Sequence, residues 1–376
     1  MNGPSSLQEK NSYLLVNLNT LRGNVRTILG ELGRDVQLIP VLKGNAYGLG
    51  AAAVARALSD FPEIRLIAVS HASEGLQLRR AGITCDILVM GGVLPFQIEA
   101  AVQAGLTVSC ARLSLAEELA EAAAKLGTKA KIHLKIDTGL HRIGIEESEI
   151  PAWIAEYRRC EEHLSLDGAF THFAEPEELD RCEKQFGVFL RVLAMLDEEG
   201  IRIPLRHAAA SATFESTDRF SLDAVRSGRR LYMDRPDAAD GSIREVASWR
   251  SYITNLKPRH RGDLVGYGEK TELDRDCLVA TVGVGYGDGL NQDLTRIGGP
   301  VLVGGKRCRL LRCCMDQCMV DVTGTGCRVG DEVTFFGYDA EGNFLSSQEV
   351  ATMVNSDEGC GLTTALTDRV ARIYTD

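Results

Sequence analysis

The chain has 376 residues, of which 44% are hydrophobic and 25% are charged, a composition typical of a globular protein long enough for two domains. Its 42 Lys and Arg against 52 Asp and Glu give a net charge of −10, and without basic runs this argues against a general nucleic-acid binder. No apolar run is long enough to span a membrane, and the start, MNGPSSLQEK, does not have the pattern of a signal peptide, so we expect a cytoplasmic protein with no membrane partner.

The first part of the chain alternates between strand-like and helix-like stretches. After a first strand, YLLVNLN, and a helix, LRGNVRTILGEL, the alternation runs from residue 36 to about residue 230. The predicted strands are VQLIPVL, IRLIAVS, DILVMGG, LTVSC, KIHLKID, LDGAFTHF, IPLRHAA and LDAVRSG. This pattern predicts an α/β fold class, a (β/α)8 TIM-type barrel over residues 12–238. A doubly wound open sheet is the alternative, although no GxGxxG motif follows a strand.

Near residue 240 the pattern changes to short strands separated by glycine turns, from SWRSYITNL to DEVTFFG. One helix, SQEVATMV, precedes the final stretch ALTDRVARIY. The stretch DRPDAADGS is the predicted linker. We therefore predict a second, mostly β domain over residues 239–376.

Lys43 ends the buried strand in VQLIPVLKGNAYGLG, and glycines follow it before the helical stretch AAAVARALSD begins. The carboxyl ends of parallel barrel strands are where α/β barrels place their catalytic residues. The alternative is a lysine that merely leaves the core for solvent. The motifs in the rest of the chain favour the catalytic interpretation.

The eleven cysteines are scattered along the chain, and the densest group is Cys313, Cys314 and Cys318. Their spacing is not that of a zinc pair, and no second pair accompanies them. We therefore expect no metal site, and we interpret these three as small buried hydrophobic residues.

Several motifs resemble those of alanine racemases, in the same order and spacing: VLKGNAYGLG, HLKIDTGLHRIGI, FTHFAEPEE, HAAASAT, AVRSGRRLYM, GVGYGDGL and CMDQCM. The similarity extends from NLNTLRGNV to RVARIY. The resemblance implies a pyridoxal 5'-phosphate barrel followed by a β domain. It also implies a head-to-tail homodimer in which each active site is completed by the β domain of the other subunit, and an amino-acid substrate.

By this resemblance, Lys43 is the lysine that bonds the cofactor and moves the Cα proton on one face of the substrate. Tyr286, contributed by the other subunit, is the acid/base on the opposite face. Arg226 matches the arginine that faces the pyridine nitrogen, and because a guanidinium only donates, that nitrogen stays unprotonated. His207 matches the residue that supports this arginine. The phosphate ligands implied by the resemblance are Tyr47, Ser211 and the backbone amides of Gly228 and Arg229.

On the substrate side, Arg142 resembles the arginine near the substrate carboxylate. Met315 and Asp316 match partner-subunit residues that line the carboxylate pocket. Lys135 matches a lysine that is sometimes carbamylated to orient that arginine. The sequence assigns at most supporting roles to two further residues at strand ends, Asp137 and His172.

The chain departs from the family pattern at two positions. Ala210 stands where family members usually carry an asparagine before the phosphate serine, and Cys360, or Ser356 if there is an insertion, stands where they carry a tyrosine. Each change removes a hydrogen bond worth on the order of 1 kcal/mol. We therefore expect a pocket that accepts a side chain larger or more polar than methyl, with Cys360 as a supporting residue.

The sequence leaves other functions open. A relative with the same lysine could act as a lyase, aldolase or decarboxylase, and a non-catalytic cofactor-binding protein is a third class. Retention of both Lys43 and Tyr286 favours two-base proton transfer, and therefore an isomerase. The β domain argues against the non-catalytic class, because the single-barrel cofactor binders lack one.

Overall fold

The computed structural model describes residues 10–233, 241–267, 270–354 and 359–376. These residues divide into two compact units. The barrel unit contains Val25–Ala46 and Ala51–Leu231, and the β unit contains residues 10–24, Tyr47–Gly50 and the described residues from 232 onward. The predicted domain boundary between residues 238 and 239 lies outside the described residues.

The barrel unit is built on eight parallel strands that follow the predicted ones. They are Gln37–Pro40, Leu66–Val69, Asp86–Val89, Thr107–Cys110, Ala130–Asp137, Leu164–Phe170, Arg206–His207 and Ala224–Ser227. The strands from Leu66–Val69 to Arg206–His207 pair in chain order, and a two-residue strand, Ile145–Glu146, pairs beside them.

Three pairings close this row of strands into a ring. Gln37–Pro40 pairs in parallel with Ala224–Ser227, the first strand of the barrel with the last. Isolated bridges join Val41 to Ala68 and Ala210 to Arg226. The predicted (β/α)8 barrel is therefore confirmed. The strand interiors are almost entirely buried, as expected for a parallel sheet covered by helices.

Helices follow most of the barrel strands. They are Leu18–Glu31 before the first strand, then Ala51–Leu58, Ala72–Arg80, Pro95–Gln103, Leu115–Leu126, Ile150–Cys160, Leu179–Glu198 and Ser211–Ser216, with 3-10 turns at Glu147–Glu149, Glu161–His163 and Arg229–Leu231. Leu115–Leu126 illustrates their amphipathic pattern, since it buries Leu115 and Leu119 on one face and ends at Gly127 with φ 63°. Among the helices described, none is long and apolar enough to cross a lipid bilayer.

The β unit contains a nine-stranded sheet. Its strands are Ser12–Asn17, Ala247–Arg259, Cys277–Val282, Pro300–Val303, Lys306–Cys313, Cys318–Asp321, Glu332–Tyr338, Phe344–Leu345 and Ala371–Thr375. Ala247–Arg259 pairs with both Cys277–Val282 and Glu332–Tyr338, which closes the middle of the sheet into a barrel. Its core holds Trp249, whose ring centroid lies 4.6 Å from that of Phe335.

The remaining elements of the β unit are short. Leu264–Val265 pairs with Thr271–Glu272, and the helical segments are the 3-10 turn Tyr286–Asp288 and the helices Gln292–Arg296, Ser347–Met353 and Cys360–Ala365. The strand Ser12–Asn17 pairs antiparallel with Ala247–Arg259 and parallel with Ala371–Thr375, so the start and the end of the described chain lie side by side.

The cysteine cluster lies on one hairpin, where Cys313 faces Cys318 across the two strands. Cys318 is fully buried, as predicted, but Cys313 and Cys314 are only partly buried. The prediction of three buried residues is therefore wrong for two of them. The reason is that both lie at the turn end of the hairpin, next to the exposed residues Met315 and Asp316.

That turn packs against the backbone around Gly285. The amide of Tyr286 donates to the carbonyl oxygen of Cys314 at 3.0 Å, and the amide of Gly287 donates to that of Met315 at 2.7 Å. A Cβ atom on Gly285 would lie 2.3 Å from the Cys314 oxygen. Gly285 therefore allows the two backbone segments to approach each other closely.

We predict that Gly285→Ala destabilises the protein by about 1–3 kcal/mol, because the added methyl group overlaps backbone atoms that cannot move aside independently. The backbone at Gly285, with φ −140° and ψ −169°, is extended and suits alanine, so the cost is steric. Gly283→Ala is the matched control, since its Cβ would lie 3.4 Å from its nearest neighbour. Urea unfolding of both variants measures the difference, and equal stabilities would contradict the prediction.

Candidate active site

Lys43 is exposed and begins a turn of unusual backbone geometry. Gly44, Asn45 and Ala46 all adopt left-handed conformations, with φ values of 62°, 57° and 54°. For a residue other than glycine this costs roughly 1–2 kcal/mol. Such strain persists only where the surrounding structure imposes it, and it is common at active sites.

Glu74 imposes this geometry. Its Oε1 accepts from the amides of Gly44 at 2.6 Å and Asn45 at 3.4 Å, and its Oε2 accepts from those of Ser70 at 2.8 Å and His71 at 3.0 Å. One carboxylate thus ties the turn after Lys43 to the end of the next barrel strand. Glu74 was not predicted from the sequence, although a glutamate in the first turn of a helix is a recognisable signal of a capping box.

Arg226 is buried inside the barrel unit, and five acceptors lie within hydrogen-bond distance of its NH1 and NH2 groups. Three are the carbonyl oxygens of Thr171, His207 and Ala208, at 2.8–3.1 Å. The other two are ring nitrogens, the Nδ1 atoms of His207 at 2.8 Å and His172 at 3.3 Å. Burial lowers the pKa of the Arg226 guanidinium to about 9, so it remains charged at neutral pH.

His172 lies among the predicted cationic residues of the site. Its pKa is lowered to about 3, first by burial and then by the positive charges of Arg226, Arg142, Lys135 and Lys43. The imidazole is therefore neutral. Arg226 contacts the ring directly, with NH2 3.3 Å from Nδ1, whereas Arg142, Lys135 and Lys43 act on it through their charges. Basic side chains gathered near one neutral imidazole form a site suited to an anionic ligand.

Lys135 is also buried, and its Nζ donates to the carbonyl oxygen of Ile136 at 2.7 Å. Burial and the charge of Arg226 lower its pKa to about 7. Asp137 lies nearby, and its Oδ1 accepts from the amides of Gly139, Leu140 and His141 at 2.9–3.1 Å. Asp137 therefore shapes the loop that leads to Arg142.

Two of the predicted phosphate ligands of the barrel unit lie together. The amide of Gly228 donates to the Ser211 hydroxyl at 3.2 Å, and that hydroxyl lies 3.4 Å from the hydroxyl of Ser227. The sequence analysis did not single out Ser227, because a serine inside a buried strand gives no distinct signal. The guanidinium of Arg229 faces Glu215 at 3.5 Å, so its side chain is directed to an ion pair.

His133 is a third residue that was not predicted from the sequence. Its Nδ1 lies 3.1 Å from Nε2 of His207, and both rings are buried. Phe170 stacks on His207 with ring centroids 4.9 Å apart. In the sequence His133 looks like one polar position of an alternating strand, so only the packing reveals it.

The remaining predicted site residues belong to the β unit. Tyr47 packs against Tyr232, with ring centroids 5.3 Å apart. Tyr286 and Met315 are 39% and 53% exposed, and Asp316 is also exposed in the turn that packs on Gly285. Cys360 is buried at the start of its short helix, and Ser356 lies outside the described residues.

The structure thus groups the predicted residues into two sets. The barrel set comprises Lys43, Lys135, Arg142, His172, His207, Ser211, Arg226, Gly228 and Arg229, and the β set comprises Tyr47, Tyr286, Met315, Asp316 and Cys360. Within the part of the chain that the structure describes, no group of three His, Cys, Asp or Glu side chains is arranged to hold a metal ion.

Comparison with known proteins covers both units. Residues 16–236 match the family profile described as alanine racemase, N-terminal domain, and residues 246–374 match that of the alanine racemase C-terminal domain. Alanine racemase 2 of Caldanaerobacter subterraneus subsp. tengcongensis is 36% identical over 369 residues, which cover 96% of this chain and 93% of the relative. The alanine racemase of Desulforamulus reducens is 36% identical over 372 residues, covering 96% and 97%.

Solved structures agree with these sequence matches. Alanine racemase of Clostridium difficile 630 superposes with a TM-score of 0.90 at 30% identity, covering 97% of this chain and 96% of that one. The Bacillus anthracis enzyme with bound L-Ala-P gives a TM-score of 0.89 at 29% identity, covering 98% and 95%. Both units and the order of the motifs therefore lead to one conclusion: this chain belongs to the alanine racemase family.

Proposed function

We propose that the protein is a pyridoxal 5'-phosphate-dependent amino-acid racemase that interconverts L- and D-amino acids by two-base proton transfer at Cα. The observation that carries this proposal is the buried Arg226, which contacts His207 at 2.8 Å and His172 at 3.3 Å, with the charges of Lys43, Lys135 and Arg142 also acting on His172. The relatives and structures to which the chain is similar are named alanine racemases. We further propose that it acts in the cytoplasm, without a nucleic-acid or membrane partner.

The residues of the barrel unit fit the cofactor. Lys43 offers an exposed primary amine, and Arg226 offers a buried donor for a ring nitrogen. The Ser211 hydroxyl and the amides of Gly228 and Arg229 would hold the phosphate. When bound, pyridoxal 5'-phosphate supplies an electron sink for the negative charge left on Cα after proton loss.

The protein's own groups then have distinct tasks. Lys43 holds or releases a proton on one face of the substrate's Cα. The left-handed turn that follows Lys43 fixes the backbone from which its side chain extends. Arg226 can only donate, so it stabilises an unprotonated ring nitrogen. Arg142 would bind the substrate carboxylate, and His207 would hold Arg226 through the contact of 2.8 Å between its Nδ1 atom and NH1 of Arg226.

The second proton-transfer group is proposed to come from another copy of the chain. Tyr286 and Met315 are exposed on the β unit, and Lys43 and Arg142 are exposed on the barrel unit. Proton transfer on both faces of Cα needs a closed site, because water would compete for the proton. We propose a head-to-tail homodimer in which a barrel domain, residues 12–238, is completed by Tyr286, Met315 and Asp316 of the partner's β domain, residues 239–376.

The substrate is proposed to carry a side chain larger or more polar than methyl. Ala210 provides no side-chain hydrogen bond beside Ser211, and a thiol at Cys360 would leave space that a phenol fills. Turnover of a panel of L-amino acids tests this directly. Alanine as the best substrate by a wide margin would contradict it.

Deuterium exchange tests the racemase proposal itself. In D2O, the wild-type protein should incorporate deuterium at Cα with inversion of configuration. Lys43→Ala should abolish racemisation, and Tyr286→Phe should lower it by about 10²- to 10⁴-fold, the usual contribution of a general acid/base. Tyr338→Phe removes a remote hydroxyl of the same unit and should retain activity. Release of carbon dioxide or an aldehyde without inversion would identify a decarboxylase or aldolase instead.

Mixing inactive variants tests whether the sites are shared. Lys43→Ala and Tyr286→Phe chains, unfolded and refolded together, should form mixed dimers with one intact site each. With random pairing, about a quarter of the wild-type activity should return, as symmetry predicts for two sites per dimer. Either variant refolded alone serves as the control. If activity does not return although mixed dimers form, both catalytic groups of a site come from one chain.

Carbon dioxide should modify Lys135. Because its pKa is lowered to about 7, close to half of the amine is neutral at pH 7, and only the neutral amine adds to carbon dioxide. The carbamate should therefore increase as the pH rises through that pKa and decrease as the pH falls below it. A carbamate signal in the ¹³C NMR spectrum with labelled bicarbonate measures this. The signal should disappear in Lys135→Met and remain in Lys131→Arg, and a signal that survives Lys135→Met would contradict the assignment.

A further inference from the structure

His133 completes a chain of hydrogen bonds that begins at Arg226. NH1 of Arg226 lies 2.8 Å from Nδ1 of His207 and 3.1 Å from the His207 carbonyl oxygen. A guanidinium has no acceptor atom, so Nδ1 of His207 must be the acceptor and must lack a proton. The geometry therefore fixes one tautomer of His207.

The protonation of the second nitrogen of His207 follows from the charge state of the ring. The ring is fully buried, and burial, followed by the charge of Arg226, lowers its pKa well below the ordinary value. A neutral imidazole carries one proton, which must then be on Nε2. Nε2 lies 3.1 Å from Nδ1 of His133, so His133 is the acceptor of that proton.

The environment of His133 supports the same direction of this hydrogen bond, from His207 to His133. Burial lowers its pKa to about 3, so it is neutral and can accept at Nδ1. Space for its ring is provided by Gly168, where a Cβ would lie 2.7 Å from the imidazole. Phe170 contacts both histidines, stacked on His207 and edge-on to His133, which limits rotation of either ring.

We propose that His133 is a positioning residue that, by accepting the Nε2 proton of His207, keeps Nδ1 of His207 open to Arg226 and so fixes the guanidinium. Without this acceptor, His207 would bury an unpaired N–H group or change tautomer. In the second case its Nδ1 proton would point at the NH1 donor of Arg226, and the two would repel each other. The role of His133 in catalysis rests on the proposed function, whereas the tautomer of His207 does not.

The experiment compares His133→Asn with His133→Leu. The two side chains are similar in size, and the Oδ1 atom of asparagine occupies the place of histidine Nδ1, so only the asparagine keeps the acceptor. Long-range ¹H–¹⁵N NMR spectra report which nitrogen of His207 is protonated, with or without activity. We expect His207 to be protonated at Nε2 in the wild type and in His133→Asn. In His133→Leu we expect a mixed or reversed tautomer.

Kinetics give the second readout. In the holoenzyme, His133→Leu should lower kcat by about tenfold or more, as losses of such supporting hydrogen bonds do, while KM changes little, and His133→Asn should restore most of kcat. Thermal unfolding shows whether either variant is misfolded. A wild-type His207 tautomer in His133→Leu, or equal loss of kcat in both folded variants, would overturn the proposal. A wild-type protein with the expected tautomer but no racemase activity would overturn only the proposed function.

Discussion

The buried charge of Arg226 is the constraint on which the barrel's interior depends. Placing a cation in a protein interior is costly unless hydrogen bonds replace the lost water. Here all five acceptors are neutral, three carbonyl oxygens and two imidazole nitrogens, and among the described residues no carboxylate forms an ion pair with it. The guanidinium is therefore held by hydrogen bonds to neutral groups. Because no carboxylate neutralises it, its positive charge can act on a ligand.

This local charge contrasts with that of the whole chain. The net charge of −10 is acidic, yet the ends of the barrel strands collect Lys43, Lys135, Arg142 and Arg226. Barrel closure brings this about, because the strand before Lys43 pairs with the strand that carries Arg226 although they are nearly the whole domain apart in sequence. A ring of parallel strands thus concentrates positive charge that composition alone does not indicate.

The sequence predicts much of this fold because each barrel strand is a short apolar run bounded by turn residues. All eight runs became strands, and the closed barrel follows from their order. The pairing of Ser12–Asn17 with Ala371–Thr375 was not predictable, because non-local pairing leaves no local pattern. The left-handed turn at Gly44 and Asn45 was equally hidden, since their amides are held by Glu74 from the helix after the next strand.

The candidate site shows the same difference between what local motifs predict and what only the folded structure shows. Motifs in the sequence predicted Lys43 and Tyr286 as site residues, but only the structure shows which hydrogen bonds hold the backbone at each of them. Lys43 begins a strained left-handed turn that a carboxylate holds by backbone amides, and the amide of Tyr286 is held by the carbonyl oxygen of Cys314. Both supports bind backbone atoms, so the backbone at Lys43 and at Tyr286 is held independently of the side chain at a position such as Ala210.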